Sequence, residues 1–219
     1  MAMLRVAYHE ALEAAEVDLG TLGALMIDAL HHAVKAVETS DAALSARIIT
    51  GADQTIQLGQ RIESACIELI WRQQPLADEL RRVTGMFEIS TDLQRINHYV
   101  VDIAKHAVRL ADKSSANAPR DTVSEVARLT EEYLKDAVDG YKNRDFASAQ
   151  KVLDGEDRYE KLYRSGIRKL QNAIRENTDV LAAATELLFV LTSLQRVGEH
   201  AVSIAWHSAE MLETENNQA

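Results

Sequence analysis

Apolar residues recur at intervals of three and four along almost the whole chain, and sustained strand-like alternation is absent. That spacing puts side chains on one face of an α-helix. It predicts six long helices over roughly 4–37, 41–71, 76–111, 120–142, 145–175 and 179–213. The residues between them fit. Thr39, Ser40 and Asp41 offer oxygens to the free amides of the second helix, Asn143 and Asp145 to those of the fifth, and Asn177 to Asp179 to those of the sixth. Pro75 is placed at the first turn of the third helix, a position that tolerates its missing N–H. Along that helix Met86, Ile89, Leu93, Ile96, Val100, Ile103 and Ala107 share the side that should be core. Thr91, Gln94, Arg95, His98, Asp102 and Lys105 lie opposite, with Gln94, His98 and Asp102 as i+4 neighbours in a polar ridge. Solvated helix surface is the plain account of such a ridge.

The polar stretch Lys113–Arg120, with Pro119 near its end, divides the chain, and the two parts repeat. Ala33-Val34, Asp41, Gly51 and Asp53 recur as Ala137-Val138, Asp145, Gly155 and Asp157, each 104 residues on. Leu93-Gln94-Arg95-Ile96, Ile103-Ala104 and His106 recur as Leu194-Gln195-Arg196-Val197, Ile204-Ala205 and His207, each 101 residues on. A fixed register over several matches indicates a duplication. The expected fold is all-α, two homologous three-helix bundles in tandem. Residues 1–112 would form the first bundle, 113–119 the linker, 120–213 the second bundle and 214–219 a polar tail.

Composition narrows the function. Of 219 residues 47% are apolar and only 5% aromatic, which excludes a disordered chain and argues against a β-sandwich. The 24 basic and 34 acidic residues leave a formal charge of −10, a surface that repels nucleic-acid backbones. Cys66 stands alone, so it forms no intrachain disulfide and is expected as a small buried apolar group. No apolar run approaches the ~20 residues of a membrane span and no signal-peptide core opens the chain. A cytoplasmic protein that meets a membrane only through partners is therefore expected. No GxSxG, Walker A or dinucleotide-binding glycine pattern occurs, so no enzyme is expected. Gly51 and Gly155 are isolated glycines that relax a helix turn or permit close approach, not a phosphate cradle, and direct orthophosphate sensing is not supported. Trp71 and Trp206 are expected as packing residues, and His31 and His32 at a core edge. His200 and His207 stand two turns apart, roughly 10 Å, too far to share one ion.

Gln73-Gln74-Pro75-Leu76-Ala77-Asp78-Glu79-Leu80-Arg81 resembles the Q-x-P-x-A-x-x-L-R stretch of the PhoU family. Asp92-Leu93-Gln94-Arg95-Ile96 and Leu194 to Ala205 resemble that family's repeated D-L-E-R-I-G-D-H-A-x-N-I-A signature, and Asn143-Arg144-Asp145 matches its second repeat. The opening Arg5–Glu10 is similar to the start of actinobacterial members. The resemblance implies two three-helix bundles side by side and, commonly, a homodimer. It implies a phosphate-signalling adaptor that links the ATPase subunit of a phosphate ABC transporter to a sensor histidine kinase. Such an adaptor holds the phosphate-starvation response off and modulates uptake. Two other readings stay open: a metal-binding helical bundle, and an accessory protein of another transporter.

Some family members hold iron or zinc clusters on an E-x-x-x-D motif in each repeat. The corresponding positions here are Gln94 and His98, and Gln195 and Glu199. Each Glu→Gln change removes a negative charge from a site that must offset a divalent ion. Asn97 and Tyr99 also replace the family's glycine and histidine. One weakly held zinc or iron on Asp92, His98, Glu199 or His200 is the most that this donor set implies. Arg95 and Arg196, retained at signature positions, could fork onto a partner's carboxylate or tie helices within the chain.

Overall fold

The computed structural model describes residues 2–75, 77–111 and 119–216. Its helices are α1 (Ala2–Thr39), α2 (Ala42–Gln73), α3 (Asp78–Ala111), α4 (Asp121–Lys142), α5 (Phe146–Asp154), α6 (Glu156–Glu176) and α7 (Leu181–Asn216), with a 3₁₀ turn at Thr178–Val180 before the last. No strand occurs among the described residues. α1, α2 and α3 pack as one bundle, and α4, α5–α6 and α7 as another. α3 lies along α7 and α1 against α4 where the bundles meet. The seven α3 residues expected in the core are all at most 1% exposed, so the helical period alone located that face.

The duplication is written in the backbone. Asp41 accepts from the Leu44 amide at 2.8 Å, and Asp145 accepts from the amides of Ala147 and Ser148 at 3.1 and 3.2 Å. The residue before each cap takes a left-handed conformation, with φ 55° at Ser40 and 52° at Arg144. Asp41 N–H donates to the Ala36 carbonyl at 3.1 Å and Asp145 N–H to the Gly140 carbonyl at 3.0 Å, the same closure in each half.

Several expectations are corrected. Pro75 does not open α3, which begins at Asp78. It follows Gln74, whose left-handed φ of 47° ends α2 while its N–H donates to Ile70 O at 3.0 Å, so the proline acts as a stop. The fifth helix is broken at Gly155. Tyr133 Oη donates to the Gly155 carbonyl at 2.6 Å, and a Cβ at Gly155 would sit 2.0 Å from that oxygen. At Gly51, its counterpart, an added Cβ would meet nothing within 4 Å, and α2 runs through it without interruption. Trp71 and Trp206 are not packing residues: they are 76% and 52% exposed. α7 extends through 214–216, and residues 113–118 and 217–219 of the expected linker and tail lie outside the described residues. The stretch Thr178–Leu212 is long and apolar enough to cross a membrane, which run length had argued against. Yet 56% of its most apolar part is buried inside the bundle, as the central helix of a helical core must be.

Cys66 is fully buried, and that burial, with Glu63 adding to it, pushes its thiol up to about 11. Iodoacetamide should therefore label Cys66 only through unfolding, at a rate that denaturant raises. Rapid labelling of the native protein at pH 8 would contradict the packing. Between the thiol's ordinary range and about 11 the folded state keeps a proton that the unfolded chain releases, so this group lowers stability as pH rises there. Gly51→Ala should stabilise the fold by about 0.5–1 kcal/mol, because the helix gains propensity at an open position. Gly155→Ala should destabilise it by about 1–3 kcal/mol through the forced shift of Tyr133. Urea unfolding of both variants checks the opposite signs.

Candidate functional site

The signature residues fall on α3 and α7, where the halves meet. Asp92 of α3 and His200 of α7 come together, Oδ1 to Nδ1 at 2.9 Å, with side chains only 12% and 15% exposed. A carboxylate can only accept, so Nδ1 carries the hydrogen. Tyr99 stacks on the His200 ring at 5.8 Å and 25°. About four turns away the arrangement recurs in reverse, with His106 of α3 donating through Nδ1 to Glu186 Oε2 of α7 at 2.7 Å. These side chains are 13% and 10% exposed, and Phe189 stacks on His106 at 5.0 Å and 12°. The second pair was not singled out in the sequence, because its members stand 80 residues apart and neither lies in the signature. Its only trace was the repeat that matched His106 with His207.

The remaining candidates do not join them. Gln94 Nε2 donates to Glu63 Oε1 at 2.6 Å and packs over Gly59, where a Cβ would sit 2.5 Å from the amide carbon. It is a tie between α3 and α2. Gln195 is half-buried on α7. Arg196 Nη1 pairs with Glu199 on its own helix at 2.7 Å, so it links no neighbouring helix. Arg95 and His98 are exposed, and neither makes an ion pair among the described residues. His31 and His32 sit at the outer edge of α1, facing Glu131 at 3.3 Å and Asp28 at 3.1 Å. Asn97, at the glycine position of the first repeat, is buried and donates to the Ala52 carbonyl at 3.2 Å. Gly198, its counterpart, lies under Tyr159: a Cβ there would be 2.5 Å from the ring.

These residues do not fit a metal cluster. Asp92 and His200 are engaged with each other, Gln94 is neutral and held by its Nε2 donation to Glu63, and Glu199 pairs with Arg196. Among the described residues no group of three or more His, Cys, Asp or Glu side chains converges as a metal site would require. What the seam offers is a fixed register between two bundles, with Arg95 and His98 exposed on α3 and Arg196 and Glu199 exposed on α7.

The PhoU domain matches this chain twice, over residues 19–107 and 123–206. The chain belongs to the PhoU family. The phosphate-specific transport system accessory protein PhoU homolog of Clostridium acetobutylicum is 28% identical over 206 residues, which is 92% of each chain. The protein of the same name from Caulobacter vibrioides is 26% identical over 198 residues, 90% of this chain and 86% of that one. Among solved structures, PhoU from Pseudomonas aeruginosa superposes with a TM-score of 0.91 at 23% identity, covering 94% of this chain and 99% of its own. The phosphate transport system regulatory protein PhoU from Streptococcus pneumoniae superposes with a TM-score of 0.84 at 18% identity, covering 93% and 96%. At those identities the superpositions establish the PhoU fold.

Substitution separates the two parts of the signature. His200→Ala and Asp92→Ala should each cost about 1–3 kcal/mol in urea unfolding, with a coupling energy in the double-mutant cycle. His98→Ala and Glu199→Ala should change neither stability nor the iron and zinc content of protein purified without chelator. Stoichiometric metal lost on either of the latter substitutions would show that the donors assemble after all.

Proposed function

We propose that this chain is a non-catalytic cytoplasmic accessory protein of a phosphate-specific transport system, which restrains the phosphate-starvation response by bridging the transporter's ATPase subunit and a sensor histidine kinase. The observation that carries the reading is the double PhoU match, with relatives named as accessory proteins of that system aligned over most of their length. The adaptor role is supported by the physical character of the molecule. Two bundles are held in a locked register, and Arg95 is exposed on α3 with its guanidinium uncommitted to any carboxylate among the described residues. A planar fork of that kind suits a partner's carboxylate. A second copy of the chain is included among the partners because Ile67 and Trp71, one turn apart on α2, are 59% and 76% exposed.

Deleting the gene should leave alkaline-phosphatase-type genes expressed in phosphate-replete medium, and Arg95→Glu should reproduce part of that derepression with the fold intact. Normal repression in the deletion strain would overturn the regulatory reading.

A further inference from the structure

The two halves differ where a helix pair in the second is packed with two tyrosine rings and the matching pair in the first is not. Tyr133 and Tyr159 lie 5.4 Å apart between α4 and α5–α6, 3% and 6% exposed, their hydroxyls donating to the carbonyls of Gly155 and Leu194, both at 2.6 Å. The positions 104 residues earlier are Ala29 and Thr55. Two rings are thus missing from the first half, and a groove of about 350 Å³ opens there between α1 and α2, with Asn97 of α3 at its floor. Its walls are Leu25, Leu44 and Ile48. Leu25 is 42% exposed, whereas its counterpart Leu129 is 1% exposed.

The rims differ in the same sense. In the second half Lys151 closes over the rings by pairing with Glu132 and Asp136, both at 2.8 Å. The matching residues in the first half are Arg47, Asp28 and His32. There His32 takes the place of one carboxylate and pairs with the other at 3.1 Å. Arg47, exposed at the groove's lip, has no carboxylate among the described residues.

We propose that this groove is a docking slot for an aromatic side chain of a partner polypeptide, with a neighbouring acidic residue of that partner meeting Arg47. The internal twin defines the shape, a ring between two helices, and the Asn97 side chain at the floor is the polar group a hydroxyl would meet. The uncommitted guanidinium defines the charge. The volume is that of a ligand pocket, and one buried ring removes about 150–250 Å² from water. Only the assignment of the ring to a partner rests on the adaptor reading. The slot itself is tested with purified components, so that its failure and a failure of the regulatory reading are distinct.

The test is a titration of the full chain, labelled at Ile, Leu and Val methyls, with an acetylated and amidated Glu-Tyr-Glu peptide and separately with p-cresol. The peptide should shift the Leu25, Leu44 and Ile48 methyls saturably and bind more tightly than p-cresol. Arg47→Ala should weaken the peptide about two- to fivefold and leave p-cresol unchanged, as expected for one exposed ion pair. Gly51→Phe fills the groove from a position where a Cβ meets nothing within 4 Å, and should abolish binding of both probes while the circular dichroism stays helical. No methyl shifts with the peptide, or shifts that persist in Gly51→Phe, would overturn the proposal. Equal affinity for peptide and p-cresol, unaffected by Arg47→Ala, would overturn it in favour of a small aromatic ligand.

Discussion

The contact between α3 and α7 is the constraint on which the rest of the structure depends. Buried positions on α3 run from Val83 to Leu110 and include neighbours such as Ile103 and Ala104, so more of the helix than one narrow stripe is covered. α1 and α2 cover part of it, and α7, arriving from the other half, covers the rest. Apolar burial holds the two helices together but is indifferent to small slides along them. The two histidine–carboxylate pairs are directional and stand roughly 21 Å apart along the helices, at 1.5 Å per residue. Together they fix the antiparallel register, and with it the relative placement of every outward residue on the two bundles. The proposed adaptor role draws on that rigidity rather than on reactive chemistry.

Duplication supplied two copies of the same helix–cap–helix geometry, and divergence made them unequal by exchange of volume. Where the second half placed Tyr159, the facing position had to be Gly198, and where it placed Tyr133, the following helix had to break at Gly155. The first half has Ala29 and Thr55 at those positions, Asn97 opposite them, and an α2 that passes Gly51 without interruption. Two large-for-small differences between packed helices thus go with a helix break, a glycine and an open groove.

Most of the fold was legible in the sequence. Helical period set the elements and the α3 core, cap residues set the boundaries, and a constant offset exposed the repeat. What escaped was tertiary. An isolated Gly155 fits a close approach, and the structure has one, but nothing between 145 and 175 says that the approaching group is a tyrosine from another helix. The apolar side chains Ile67, Ile70 and Trp71 are compatible with burial on either side of α2, so period could not tell that Ile67 and Trp71 face outward. At the candidate site the signature picked out Asp92 and His200, but as separate donors. That they are each other's partners, across 108 residues, follows only from the way α3 meets α7. The loss of charge at Gln94 was visible, whereas its tie to Glu63 was not.

The central claim is that this surface binds other polypeptides of phosphate transport. Affinity capture of the intact tagged chain from phosphate-replete cells, with the bound proteins identified by mass spectrometry, tests it most directly. The account predicts the transporter's ATPase subunit and a sensor histidine kinase among the captured proteins, both diminished when Arg95 is reversed in charge. Capture of neither by a correctly folded chain would contradict it.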